Sequence, residues 1–363
     1  MNMRADLVSL FCDLVIIPSE SGSERNFLEY IGKILQREFG AECVFDSFGN
    51  LISKVPGRNS IITTPLLFGM HADTVAPGVG VHPVIDDDII KSNGNTILGA
   101  DDKAGIAELI IALRSAERFP SLEIILTREE ERGLLGSKNL DYSLISARKG
   151  FVLDMDDINS IVIGGPSKIN LDIVVHGKAA HAGMEPEKGI SAIRAAALAI
   201  SSLPDGRIDS GTTCNIGSIH GGENRNSVPE QASLQIEVRS LDHKKALKLK
   251  DLFLNTFNEA AKSLGASVTA DSSLSYRAAT MAPDSPVVLV AKAALIKVGL
   301  IPICKTIVGG TDASAYNEHG ISCAVLGIGA RKEHTKEEFI HISEMEKCVA
   351  IIDAILEHYA TNL

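Results

Sequence analysis

The sequence lacks several things whose absence narrows its function. No stretch of about 18 or more apolar residues occurs, which excludes a helix that crosses a membrane. Basic residues are in the minority, 35 Lys and Arg against 46 Asp and Glu, for a formal net charge of −11. No basic stripe is present to follow a phosphate backbone, so a nucleic-acid partner is excluded. None of the six cysteines (Cys12, Cys43, Cys214, Cys304, Cys323, Cys348) stands in a C-x-x-C pair. A thiolate zinc site is therefore not expected, and reduced thiols, several of them in the core, fit the cytoplasm. The first residues show no charged leader followed by an apolar run and a small-residue cleavage site. The expectation is a cytoplasmic protein with no membrane partner.

What is present is enough for two domains or one large one: 363 residues, 45% hydrophobic and 22% charged. Thirty-one glycines suit an α/β fold with many tight turns. Helical spacing is read over 6–16, 24–39, 103–116 and 136–140, and strands over 44–55, 61–70 and 122–126. Strands alternating with helices imply a mainly parallel central sheet. The character changes near Pro166. Strands are expected over 169–176, 213–220, 231–239 and 266–274, and helices over 188–203 and 242–264. That β-α-β-β-α-β order is a ferredoxin-like module. It reads as an insertion over 167–281 in a domain made of 1–166 and 282–363, which ends with a helix over 285–298, a strand over 324–327 and a helix over 343–359.

Charged groups fall directly after apolar, strand-like runs. His71-Ala72-Asp73 follows one, Glu129-Glu130-Glu131 another, and Asp154 a third, while Gly99-Ala100-Asp101-Asp102-Lys103 opens a helix. Open α/β sheets bind ligands at the carboxyl ends of their strands. Four segments delivering His, Asp, Glu and Asp to one edge make a metal site. Imidazole and carboxylate suit zinc, with cobalt or manganese as alternatives. On this reading Asp101 bridges two ions. Glu131 and His334 complete one shell, His71 and Asp154 the other, and Asp73 holds the second ring nitrogen of His71. Ions so paired share an activated water whose proton Glu130 is free to take. Each segment alone has an ordinary explanation. An acidic triplet before a helix is a dipole-favoured first turn, Asp101-Asp102 a helix cap, and H-x-D a chance match. These explanations do not account for every acidic cluster lying at a strand end.

The set resembles the co-catalytic dizinc peptidases and deacylases that include peptidase T, carboxypeptidase G and succinyl-diaminopimelate desuccinylase. His71-Ala72-Asp73-Thr74-Val75 is similar to the H-x-D-T/V-V segment. Gly99 to Gly105 is similar to the corresponding run of peptidase T, and Glu130-Glu131-Arg132-Gly133-Leu134-Leu135-Gly136 to E-E-x-G-x-x-G. The resemblance spans the chain from His71 to His334. It implies the ligand roles above, a cis peptide after Asp101 and a homodimer formed through the inserted lid. Two departures stand out. Glu129 occupies a position where the family commonly has Asp, and the spacing to Gly133 selects Glu130 and Glu131 as the pair. Val308 precedes Gly309-Gly310-Thr311-Asp312 where some members have a basic or polar residue.

The resemblance also implies substrate contacts. His181 would polarise the scissile carbonyl from the partner subunit, Asn226 and Arg239 would meet the substrate carboxylate, and Gly310 and Thr311 would line the substrate. Asp154 is typical of aminopeptidase and dipeptidase members, whereas Glu there is typical of deacylases and carboxypeptidases. The expected activity is release of the N-terminal residue from short peptides. The alternative is deacylation of N-acyl amino acids with the same machinery. A non-catalytic binding protein on this scaffold is disfavoured by the full ligand set and by Glu130.

Overall fold

The computed structural model describes residues 3–361. The chain begins with helices α1 (Met3–Val15) and α2 (Arg25–Phe39) and strands β1 (Glu42–Phe45), β2 (Leu51–Val55), β3 (Leu66–His71), β4 (Pro83–Asp86) and β5 (Ile89–Ser92). Helix α3 (Ala100–Ser115), strand β6 (Leu122–Thr127), the short helix α4 (Leu135–Lys138) and strands β7 (Lys149–Leu153) and β8 (Ser160–Gly165) follow. The middle part holds β9 (Ser167–His176), α5 (Ala192–Ile200), β10 (Gly206–Asp209), β11 (Thr212–Gly221), β12 (Gln231–Ser240), α6 (His243–Ser263) and β13 (Ser267–Tyr276). The last part holds β14 (Ala279–Thr280), α7 (Pro286–Lys297), β15 (Ile303–Thr306), α8 (Ala313–Glu318), β16 (Ser322–Leu326), β17 (Ala330–Arg331), β18 (Phe339–His341) and α9 (Ile342–Thr361). Two compact units result. One comprises Met1–Gly164, Thr280–Thr306 and Gly310–Leu363, the other Gly165–Ala279 and Ile307–Gly309.

In the first unit the main sheet runs β1-β2-β6-β3-β7-β16-β8-β14, with β15 joined to β8. Its centre, β6-β3-β7-β16, is parallel, and β1, β2 and β8 are antiparallel to their inner neighbours. The carboxyl ends of β3, β6 and β7 therefore share one edge. β3 and β6 are buried at every residue, the pattern of parallel strands covered on both faces. Helix α3 is buried from Asp102 through Leu113 and shares one apolar core with Phe11, Phe27, Phe68, Phe151 and Ile355. The strand expected over 61–70 starts only at Leu66, because Ile61 is 92% exposed and Pro65 has no N–H to give a ladder. A second small sheet, β17-β18-β5-β4, has no counterpart in the sequence expectations. Its strands run two to four residues, too short to show a period.

In the second unit the sheet order is β10-β11-β12-β9-β13, antiparallel throughout. β9, α5, β11, β12, α6 and β13 make the ferredoxin-like module, and β10 adds an unforeseen edge strand. Burial alternates along β9 because Ile169, Leu171, Ile173 and Val175 face a core with Phe253, Phe257 and the alanines of α5. Helix α5 starts at Ala192 rather than at 188. Pro186–Lys188 forms a 3-10 turn, and the Ser191 side chain caps the helix by accepting from the Arg194 N–H. No helix among the described residues is long and apolar enough to cross a membrane.

Candidate metal centre

His71 is the last residue of β3, Glu130 and Glu131 lie just past β6, and Asp154 follows β7 directly. Asp101 lies at the head of α3, and His334 lies in the loop between β17 and β18. Glycines make the close approaches possible. A Cβ on Gly105 would lie 2.9 Å from the Leu153 carbonyl oxygen, so only glycine lets α3 pass this near the end of β7. A Cβ on Gly136 would lie 2.2 Å from the Arg128 carbonyl oxygen, and Gly133 has φ +97°. The E-E-x-G-x-x-G spacing thus has a steric basis. The peptide between Asp101 and Asp102 is cis, as the resemblance implies. Lys103 of the same motif is buried away from the cluster, its Nζ donating to the Ile17 carbonyl at 2.7 Å.

The donor atoms converge in two sets around Asp101. Its Oδ1 is 3.1 Å from His71 Nε2, which is itself 3.7 Å from Asp154 Oδ1. Its Oδ2 is 3.2 Å from His334 Nε2, which is 2.7 Å from Glu131 Oε1. Single ligand atoms of His71, Asp101 and Glu131 all lie within 4.8 Å of one another, as do those of His71, Asp102 and Asp154. Glu131 Oε1 is buried yet makes no hydrogen bond of good geometry, although His334 is so near. Two imidazoles and three carboxylates, one presenting an oxygen to each side, fit a pair of borderline divalent ions.

The electrostatics agree. Desolvation pushes the Asp154 and Glu130 carboxyls well above the usual range, and their acidic neighbours add to it, with His71 opposing. Burial would raise Asp101 as well, but His334 and His71 hold it below its ordinary value. A pocket so rich in crowded carboxylates lowers its energy by binding cations.

Asp73 does more than the sequence reading assigned to it. Its backbone carbonyl accepts from His71 Nδ1 at 2.9 Å, which leaves Nε2 as the free donor of an electron pair. Its carboxylate accepts the Glu130 N–H at 2.9 Å, the Glu131 N–H at 3.2 Å and the Ser21 hydroxyl at 2.7 Å. One buried aspartate thereby aligns His71 and the acidic pair together. Glu129 turns away, at φ +51°, toward Arg132 at 3.3 Å and Arg128 at 3.7 Å. No hydrogen bond or ion pair engages the half-buried Glu130 carboxyl among the described residues.

Ser21, Asp102, Asp312 and Glu338 were not singled out as site residues by sequence reasoning. Asp102 Oδ2 accepts the His71 N–H at 3.1 Å, and the buried Asp312 carboxylate accepts from the Thr127 hydroxyl at the end of β6. The one local signal for Asp312 is its place after Gly309-Gly310-Thr311.

Metal uptake releases protons in this arrangement. Asp101 and Glu131 raise His334 to about 10, so without metal its imidazole is charged at neutral pH. A ligand nitrogen must be neutral, and an ion binding there expels that proton. Affinity at this position is expected to rise with pH below His334's metal-free pKa, by up to about tenfold per unit. Calorimetric titration at neutral pH in two buffers of different ionisation heat measures the release; heats that do not depend on the buffer would refute it.

Parts of the chain match known families. Residues 50–173, which contain every donor except His334, match a family model described as peptidase family M28. Residues 165–264 match one described as a peptidase dimerisation domain. A peptidase T of Desulfitobacterium hafniense is 30% identical over 280 residues, 75% of this chain and 68% of that protein. The chain belongs to the peptidase T family. Two solved structures are similar over nearly the full length. The aminopeptidase PepT of Bacillus cereus has TM-score 0.89 and 37% identity, covering 98% of this chain and 99% of that one. A tripeptidase of Staphylococcus aureus has TM-score 0.92 and 31% identity, covering 98% of each. The chain is thus a metal-dependent peptide hydrolase of the aminopeptidase/tripeptidase type.

The residues expected to contact substrate are distributed over the two units. In the second unit His181 is exposed, and its Nδ1 accepts from the Gly183 and Met184 N–H groups at 3.2 and 3.1 Å. With Nδ1 accepting, the ring N–H sits at Nε2. The loop of Asn226 pairs with that of His181, the Ala182 N–H donating to the Asn226 carbonyl at 2.9 Å. The Arg239 fork is taken up by Glu237, at 2.9 and 3.3 Å, and by the Val308 carbonyl at 3.2 Å. In the first unit Gly310 and the buried Thr311 precede α8, tied by Asp312 to β6.

Proposed function

We propose that this enzyme releases the N-terminal residue from short peptides such as tripeptides, with two divalent ions held by His71, Asp101, Asp154, Glu131 and His334. Zinc suits the donor set best, and cobalt or manganese can replace it. The observation that carries the reading is the split of Asp101, one oxygen toward His71 and the other toward His334, beside an unpaired Glu130. Bound ions would polarise the peptide carbonyl and make the attacking water more acidic.

In this reading Glu130 takes the proton of that water and passes it to the departing amine. Its desolvated carboxyl, held above the ordinary range, suits a proton that must be both accepted and returned near neutral pH. Asp73 keeps His71 and the Glu130 backbone in place. His181 Nε2–H donates to the developing oxyanion, across a dimer formed through the second unit. Donors of this kind are worth about 3–4 kcal/mol. Arg239 and Asn226 receive the substrate carboxylate, the Glu237 partner of Arg239 being displaced, and Gly310 and Thr311 line the peptide. The six cysteines, all free, fit a cytoplasmic enzyme.

The test is metal analysis of the purified chain, with assays on free tripeptides and on N-acyl amino acids before and after chelation. The expected result is close to two ions per chain and tripeptide cleavage that chelation abolishes and metal restores. Cleavage of N-acyl amino acids without tripeptide cleavage would favour the deacylase alternative.

A further inference from the structure

Glu338 is 1% exposed, and through backbone hydrogen bonds it organises two of the segments that build the cluster. Its carboxylate accepts four consecutive backbone N–H groups. Oε2 takes those of Leu98 and Gly99 at 2.8 and 2.7 Å, and Oε1 takes those of Ala100 and Asp101 at 2.8 and 3.1 Å. Those donors are the turn that enters α3 and ends at Asp101. A carboxylate there matches both the unpaired N–H groups and the positive end of the helix dipole.

Glu338 is also four residues beyond His334, on a tight loop. Lys332 and His334 have positive φ, the Glu338 N–H donates to the Thr335 carbonyl at 3.1 Å, and the Thr335 hydroxyl donates to the Lys332 carbonyl at 2.7 Å. The chain then enters β18, which is pinned to β5. One side chain thus ties the His334 loop to the Asp101 turn, across more than 230 residues of sequence.

We infer that Glu338 is a positioning residue that clamps Asp101 and His334 together and so sets the affinity of the ion between them. The inference rests on the two-ion reading above. His71 and Asp154 project from β3 and β7, which the sheet holds without help from Glu338. Loss of the clamp therefore acts unequally on the two ions.

The experiment uses the full chain and zinc titrated against a competing chelator. In Glu338→Gln one amide oxygen replaces two acceptor oxygens, and the NH2 group must face a pair of N–H donors. Wild type is expected to hold two zinc ions. Glu338→Gln is expected to keep one within about threefold and to bind the other about 10–100-fold more weakly, the range for groups that orient ligands. His334→Ala should give the same one-ion species, and the double variant should lose no further ion. Two unchanged ions in Glu338→Gln, or parallel loss of both, would overturn the inference while leaving the two-ion reading intact. A wild type that binds no zinc would overturn both. Should Glu338→Gln fail to fold, hydrogen exchange on the metal-free wild type decides. Strong protection of the 98–101 amides supports the clamp, and exchange at the rate of an open loop refutes it.

Discussion

Glu130→Ala is expected to retain both ions and to lose on the order of 10³-fold in kcat, the size of effect expected when a positioned base is removed. The separation of the two properties follows from the geometry. Glu130's carboxyl makes no ion pair with a donor of the cluster, and its N–H, which Asp73 holds at 2.9 Å, survives the substitution. Glu131, whose Oε1 lies 2.7 Å from His334, keeps its place through its own N–H bond to Asp73 at 3.2 Å. A loss of 10³-fold corresponds to about 4 kcal/mol of transition-state stabilisation. Steady-state assays alongside metal analysis check it. Retention of half the wild-type rate would remove Glu130 from the chemistry, and loss of metal would make it a ligand.

Asp101→Ala is expected to do the reverse and empty the site. Asp101 places one oxygen 3.1 Å from His71 and the other 3.2 Å from His334. In the two-ion reading its removal would take an oxygen from each ion at once and bring Asp154 and Glu131 no replacement. Zinc affinity should fall by more than about 10²-fold for both ions, beyond the about 10–100-fold typical of groups that only orient ligands. Activity should vanish with it and return only in part at high metal. Competition with a chelator measures both affinities. An Asp101→Ala protein that still holds two ions would show that the carboxylate does not bridge. The contrast with Glu338→Gln, where one ion is expected to weaken, separates a bridging ligand from a residue that sets one side of the pair.

The candidate donors apart from His334 were legible because each belongs to a local pattern. An apolar run ending in His71-Ala72-Asp73, in the acidic triplet or in Asp154 is a strand followed by a charged tip. Parallel strands β3, β6 and β7 carry such tips to one edge. The ferredoxin-like module was legible for the same reason, since β9 and β12 alternate and α6 follows helical spacing over 21 residues. The register of the triplet was legible only through Gly133, and the structure supplies the cause: at φ +51° Glu129 turns toward two arginines, leaving the next two residues to the cluster.

Contacts between distant segments left no such trace. Ser21 on Asp73, Asp312 on Thr127 and Glu338 on the Asp101 turn are single polar residues in loops, where no period marks them. The small sheet pairs β5 with β18 across most of the chain, and β10 is a four-residue edge strand. The amino-acid sequence by itself determined the candidate donors at the strand ends, the α/β alternation and the inserted module, because periodicity and strand-end chemistry are properties of neighbouring residues. Only the tertiary structure decided which Asp101 oxygen faces which histidine and which buried carboxylates hold the backbone in place. Those pairings depend on where chain segments from tens to more than two hundred residues apart meet.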